Sequence, residues 1–295
     1  MIHILYNPIS NCSKNIEEVI AKAQAHYKGE DSTKKSLLDI ADLKAYFDTL
    51  GTDDTVVLVG GDGTINVLCN ALRSYEIKNK IYLYKAGTGN DFMRDVCDSD
   101  DFAELNEYIE NLPVVAVNGK EYLFINNVGY GIDGMVCADG EKLRAQGKKD
   151  INYTTLAIKL LLTKYKSHGA TVTVDGVSHK FKRVWMAPVM NGRYYGGGMM
   201  PCPNQDRKSD TLSCCVIHDT NALQTLLIFP SIFKGEHIKH ESKVAQFNGK
   251  EITVEFDSPR DVQIDGEVIS GVTKISTKKC ASAQACDKDK ATATV

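Results

Sequence analysis

The chain has 295 residues, 43% of them hydrophobic and 25% charged, with 23 Gly and 7 Pro. That balance excludes disordered, collagenous and fibrous classes and, at ~150 residues per domain, predicts two domains. Thirty-five Lys and Arg against 38 Asp and Glu leave a formal charge of -3, without a nucleic-acid binder's basic excess. No window approaches the ~18 consecutive apolar residues of a membrane span, and the N-terminus lacks a basic n-region, so a cytoplasmic protein without a span is expected.

In chain order, residues 2–6 read as a strand, 16–27 as a helix, 37–40 as a weaker strand, 43–50 as a helix and 56–59 as a buried strand. A helix over 65–72, a strand over 81–84 and helical segments around Phe92 and over 102–109 follow. This alternation predicts an α/β domain with a parallel sheet. After Pro113 strand-like runs dominate, at 114–117, 122–127, 171–174, 180–186, 212–217, 252–256 and 262–264, with helical character over 135–166. They predict a mostly antiparallel β-sandwich. The expected domains are 1–115, α/β, and 116–278, β-rich with the helical insertion 135–166. Residues 279–295, small, polar and aperiodic, read as a disordered tail.

The nine cysteines form no C-x-x-C pair and are odd in number, which argues against structural zinc and a disulfide framework. Reduced thiols, several acting as small buried hydrophobes, are expected.

The apolar run 56–59 leads into Gly60-Gly61-Asp62-Gly63-Thr64, after which Ile65, Leu68 and Leu72 recur at helical spacing. A glycine loop between strand and helix lets backbone N–H groups approach an anion, and the helix N-terminus favours negative charge. Asp62 would repel a bare phosphate unless a cation such as Mg²⁺ lies between them. The bland alternative is a tight turn with Thr64 as helix cap. One helix and one strand later the pattern returns as Gly87-Thr88-Gly89-Asn90-Asp91, which would place both loops at the carboxyl edge of neighbouring parallel strands, where open α/β sheets bind ligands. Asn7-Pro8-Ile9-Ser10-Asn11, after the first strand, would reach the same edge.

These motifs, with Phe92-Met93-Arg94 after the second loop, resemble the diacylglycerol kinase catalytic-domain family, which includes bacterial lipid kinases and sphingosine and ceramide kinases. The first motif is shared with NAD kinases; the second is more typical of lipid kinases. The resemblance continues through residues 126–133, Asn191-Gly192, Gly196-Gly197-Gly198 and Ile264-Asp265-Gly266-Glu267. Two departures stand out: Asn11 where the family usually has Gly, and Ser209-Asp210-Thr211 in place of an acidic pair.

The resemblance implies an NAD kinase/diacylglycerol kinase-like fold and an ATP-dependent, Mg²⁺-requiring lipid kinase, with diacylglycerol as the favoured substrate. It also implies that Gly60, Gly61, Gly63, Thr64 and Thr88 hold the ATP phosphates, with Asn7 near the nucleotide and Asn90 among the nucleotide-binding residues, and that Asp62 organises Mg²⁺ and the phosphates. Glu267 matches the family's general base, and Asp210, or Asp206 beside it, is the position that would take a further metal. Without the resemblance, Asp265-Gly266-Glu267 reads as a hairpin turn with a solvated acid. Arg94 is either a surface cation or a partner for phosphate or carboxylate. Two alternatives remain: a soluble NAD kinase-like enzyme, against which Asn126-Asn127 stands where an Asn-Glu motif is expected, and a non-catalytic nucleotide or lipid binder, against which both Asp62 and Glu267 are present.

A lipid substrate calls for transient peripheral membrane contact. Between Glu141 and His168 seven Lys and Arg, among them Lys148, Lys149, Lys159 and Lys164, face only Glu141 and Asp150. Ile158, Leu161, Leu162 and Tyr165 form an apolar stripe at helical spacing. This segment is the expected docking surface, with a core-packed helix as the alternative. Homodimerisation is left open.

Overall fold

The computed structural model describes residues 1–8, 16–27, 30–87, 89–97, 101–148 and 151–279. Asn11, Thr88, Lys149, Asp150 and the expected tail except its first residue therefore lie outside the described residues, while Lys279, expected in that tail, is held by hydrogen bonds to Asn191 and Arg207. The chain divides into two compact units, Met1–Leu112 and Pro113–Cys280.

In the first unit β1 (Ile2–Tyr6), α1 (Ile16–His26), β2 (Ser32–Ser36), α2 (Leu43–Asp48), β3 (Thr55–Gly60), α3 (Asp62–Ala71), β4 (Lys80–Lys85), α4 (Asp91–Val96), β5 (Phe102–Glu104) and α5 (Asn106–Ile109) follow one another. The sheet order is β2-β1-β3-β4-β5, with β1 to β4 mutually parallel and β5 antiparallel to β4. Val56, Val57, Leu58 and Val59 are all fully buried, as a parallel strand covered on both faces requires. Val57 and Val59 pack in one cluster with Ile20 and Ala23 of α1. Side chains alternate along a strand, so Val56 and Leu58 point to the opposite face. The chain order reverses between β1 and β3, which makes their carboxyl ends a switch point.

Two expectations are corrected here. The weak strand lies at Ser32–Ser36, not at 37–40, because a polar Ser-Thr-Lys-Lys-Ser run pairs its backbone with β1 at the sheet edge while its lysines stay solvated. Residues 37–39 instead form a 3-10 turn capped by Ser36, whose Oγ accepts the Leu38 N–H at 3.1 Å. The helix expected over 102–109 is confined to Asn106–Ile109, because Phe102 packs on Tyr84 with ring centroids 4.7 Å apart and draws residues 102–104 into the sheet.

The second unit contains β6 (Val114–Val117), β7 (Lys120–Leu123), β8 (Asn127–Tyr130), α6 (Ile132–Ala145), α7 (Tyr153–Thr163), β9 (His168–Val174), β10 (Val177–Val184), β11 (Val189–Met190), β12 (Leu212–Ile217), α8 (Ala222–Ile228), β13 (Val244–Gly249), β14 (Glu251–Ile264) and β15 (Glu267–Lys278). The strands form an antiparallel sandwich in the order β13-β12-β11-β8-β14-β15-β6-β7, with β9 pairing β14 and β10. The runs 252–256 and 262–264 are one long strand. Its first half pairs β9, its last residues pair β8, and the register against β15 shifts between Glu255 and Arg260 and again between Arg260 and Val262.

On β12, Leu212, Cys214 and Val216 enter the sandwich core while Cys215 and Ile217 enter a second cluster with residues of the helices, so this strand is buried on both faces. Burial pushes the Cys214 thiol up to about 12, consistent with a small hydrophobe. The helical insertion is two helices, beginning at Ile132. A further helix, α8, is held by a capping box in which Asn221 accepts from Gln224 N and Gln224 in turn accepts from Asn221 N. Among the described residues no helix is long and apolar enough to cross a membrane.

Candidate functional site

In the first unit β1, β3 and β4 run parallel and end at one edge, bringing Asn7, Gly60 and Gly87 to neighbouring strand termini. The two glycine loops interlock there. Ala86 N–H donates to Gly60 O at 2.9 Å, and a Cβ added to Gly61 would lie 2.7 Å from the Cα of Gly87. These glycines are needed for close backbone approach, since Gly61 has φ -125°. The left-handed residue is Asn90, at φ 48°. Its Oδ1 accepts the Gly87 N–H at 2.9 Å, so Asn90 in this structure staples its own loop. Thr64 is buried and lies over Gly60, whereas Gly63 faces open space, with nothing within 4 Å of an added Cβ. Thr88 lies outside the described residues.

Asp62 opens α3, yet its carboxylate reaches the other loop. Oδ2 accepts the Asp91 N–H at 3.1 Å and Oδ1 the Phe92 N–H at 2.8 Å, so Asp62 caps the N-terminus of α4. Asp91 is buried and pairs with Arg94 at 3.0 Å, which resolves Arg94 toward a carboxylate partner. A Cβ on Gly89 would lie 3.3 Å from Asp91 Oδ2 and 3.5 Å from Asp62 Oδ2, so two carboxylate oxygens face the same small residue. Asp91 stands in the quoted motif without a role; its position at the first turn of a predicted helix, 29 residues after Asp62, was the available signal.

In the second unit, Asp265 and Gly266 take φ 47° and 99°, the left-handed pair of a tight hairpin turn between β14 and β15. The Asp265 carboxylate accepts three backbone N–H groups, from Ile125 at 2.6 Å, Asn126 at 2.8 Å and Asn127 at 3.1 Å. Gln263 Oε1 accepts the Gly266 N–H at 2.7 Å. This lashing fixes the base of the turn and leaves Glu267, the first residue of β15, exposed.

The segment around Asp210 is arranged differently from a metal cradle. Asp210 is exposed and pairs with Lys250 at 2.7 Å, while Asp206 Oδ1 accepts the Lys208 N–H at 2.9 Å. Beside them the buried Arg207 donates to Ile125 O at 2.7 Å, and Lys279 donates to Arg207 O at 2.9 Å and to Asn191 Oδ1 at 2.5 Å. Desolvation lowers the Lys279 ammonium to about 8. Three side-chain cations, Lys250, Arg207 and Lys279, thus occupy this place, a donor set that does not fit a divalent metal. Among the described residues no three His, Cys, Asp or Glu converge as ligands.

One buried pair has no counterpart in the sequence reading. Tyr195 Oη donates to Asp133 Oδ1 at 2.9 Å, and Asp133 Oδ2 finds no hydrogen-bond partner among the described residues. Burial raises the Asp133 carboxyl to about 7, against the opposing pull of the tyrosine hydroxyl.

Residues 1–117 match the family model described as diacylglycerol kinase catalytic domain. Residues 126–280, more than half of the chain, match that described as YegS C-terminal NAD kinase beta sandwich-like domain. A candidate lipid kinase of Staphylococcus epidermidis is 29% identical over 228 residues, 73% of this chain and 70% of that one. A Mycobacterium tuberculosis diacylglycerol kinase is 26% identical over 211 residues, 68% and 67% of the two chains. The crystal structure of a candidate diacylglycerol kinase from Bacillus anthracis str. Sterne superposes with a TM-score of 0.69 at 21% identity, covering 94% of this chain and 91% of that one, a likeness of fold. The chain therefore belongs to the family with the YegS C-terminal, NAD kinase β-sandwich-like domain, and its first 117 residues match the diacylglycerol kinase catalytic domain.

Proposed function

We propose that this protein is an ATP-dependent lipid kinase that transfers the γ-phosphate to a lipid hydroxyl, most directly that of diacylglycerol to form phosphatidic acid. The observation that carries the reading is the pair of glycine loops meeting at one edge of the parallel sheet with the Asp62 carboxylate tied between them. Backbone N–H groups at Gly60, Gly61 and Gly63, with Thr64, Asn7 and the Asn90 loop, would receive the nucleotide phosphates. Thr88 keeps its implied place among them.

Asp62 Oδ2 and Asp91 Oδ2, which both lie near Gly89, would supply the one or two carboxylates that Mg²⁺ characteristically takes, leaving its other positions to substrate phosphates and water. Bound there it would neutralise charge on the transferring phosphoryl group. Glu267 would accept the proton of the lipid hydroxyl as its oxygen bonds to the γ-phosphorus and the bond to the β-phosphate oxygen breaks, releasing ADP. An exposed carboxylate on a firmly lashed turn suits that task, since it is available to substrate while its backbone is held. The protein would act from the cytoplasm by transient contact with a membrane.

Radiolabelled ATP offered with diacylglycerol, sphingosine, ceramide or NAD tests the reading. Label in diacylglycerol supports it in full, and label in a sphingoid lipid keeps the kinase while changing the substrate. Label only in NAD, or in none of the four, overturns it.

A further inference from the structure

The stripe expected to meet a membrane is mostly core. Leu161 and Tyr165 are buried together with Leu156 and Leu160, and only Leu162 stands out, 53% exposed. Lys142 and Lys164 both pair with Asp139, at 3.3 and 3.0 Å, so part of the basic excess is neutralised within the fold.

A different surface has the required character. Leu223 is 64% exposed, Leu227 74% and Phe233 36%, although all are large hydrophobes. They recur at i, i+4 and i+10 along α8 and the 3-10 helix Phe229–Lys234 that continues it, with exposed Pro230 between them. The inward side of the same helices carries Thr225, Ile228 and Ile232, all buried, so the outer ridge is not surplus core. α8 packs beside α7, which bears Leu162. Scattered single hydrophobes on a surface are ordinary, but a ridge of this kind marks a contact site.

Charge identifies the partner. Residues 151–168 contain Lys159, Lys164 and Lys166 and no acid, and residues 222–239 contain Lys234 and Lys239 against Glu236. Lys164 and Lys239 are paired with Asp139 and Glu236, leaving exposed Lys159 on α7, Lys166 just after it and Lys234 at the end of the ridge's own 3-10 helix, in a chain of net charge -3. Apolar side chains flanked by lysines suit an interfacial helix on an anionic bilayer.

We propose that Leu223, Leu227 and Phe233, with Leu162 beside them, form the surface by which this protein docks on an anionic lipid bilayer. The proposal rests on the lipid-kinase reading for its purpose, but it is tested separately from that reading. The full chain, Leu223→Glu/Leu227→Glu, Leu223→Ser/Leu227→Ser and, as a control, Val177→Glu at an apolar position 60% exposed on β10, are floated with vesicles of phosphatidylcholine containing phosphatidylglycerol and with phosphatidylcholine alone. Melting temperature, light scattering without lipid and phosphorylation of short-chain diacylglycerol in solution are followed in parallel.

The expected result is binding that favours the anionic vesicles, falls at least ~10-fold in the Glu pair and less in the Ser pair, weakens with salt, and is untouched in Val177→Glu. Short-chain phosphorylation and melting should not change. Undiminished vesicle binding in both pairs, an equal loss in Val177→Glu, or conversion of a dimer to monomer by the Leu substitutions overturns the proposal. Absent short-chain phosphorylation in the parent with vesicle binding as expected removes diacylglycerol as the substrate, and absent phosphorylation of sphingosine and ceramide as well overturns the lipid-kinase reading instead.

Discussion

The Asp62 carboxylate accepts the Phe92 backbone N–H at 2.8 Å and that of Asp91 at 3.1 Å, joining the loop after β3 to the helix that follows β4. Both carboxylate oxygens are used, so Asp62→Asn would leave an amide NH₂ facing a backbone N–H and cost about 1–3 kcal/mol. If Asp62 also organises Mg²⁺, the same variant needs more Mg²⁺ for half-maximal turnover. Urea denaturation and a Mg²⁺ titration on one preparation separate the two effects. Lost stability with an unchanged Mg²⁺ midpoint would reduce Asp62 to a clamp between loops.

Gly61 and Gly63 make opposite predictions. A Cβ on Gly61 would lie 2.7 Å from the Gly87 Cα, and backbone cannot give way as a side chain does, so Gly61→Ala should unfold at markedly lower urea. Gly63 lies within α3 and an added methyl meets nothing, so Gly63→Ala should be neutral or stabilise by about 0.5–1 kcal/mol. If its N–H lies under a phosphate, that stable variant will still bind ATP more weakly. Calorimetry with and without ATP reads both quantities, and unchanged ATP affinity would remove Gly63 from the proposed site.

Glu267 and Asp265 share one turn but should fail differently. Glu267 is exposed, so Glu267→Gln should melt like the parent while turnover falls by ~10²-fold or more, the usual contribution of a general base. Asp265→Asn loses charge-assisted bonds to three backbone N–H groups and should lower stability first. Near-normal turnover in Glu267→Gln would sink its assignment as the base.

The sandwich and the parallel sheet were legible where side chains alternate or run apolar, as in Val56 to Val59. β2 was missed because an edge strand can be wholly polar when backbone pairing alone holds it, and β5 because three residues are too few to show a period. The glycine loops announced themselves as a motif, but the reason for their glycines did not. Contact between Gly61 and Gly87 is a tertiary fact, and Asn90, not a glycine, carries the left-handed turn. Asp91 ends the second glycine motif and Asp133 ends the stretch 126–133. Their roles depend on burial, which no local pattern reports.

Asp133 offers the clearest dependence on pH. Its carboxyl is raised by burial from 3.8 to about 7. The native chain therefore keeps this proton over an interval in which the unfolded chain has lost it, and stability contributed here falls as pH rises from about 4 to about 7, then levels off. Buried His237, lowered by desolvation, tilts stability the other way below its ordinary 6.5, so the informative quantity is the difference between parent and variant. Asp133→Asn can still accept the Tyr195 hydroxyl but has no charge to bury. It should match the parent near pH 4 and exceed it in stability at pH 8. Tyr195→Phe removes the hydrogen bond that holds the carboxyl down, so the falling limb should extend to higher pH. Urea denaturation of the three proteins between pH 4 and 8 decides the matter, and an Asp133→Asn curve parallel to the parent's would assign the titration to another group.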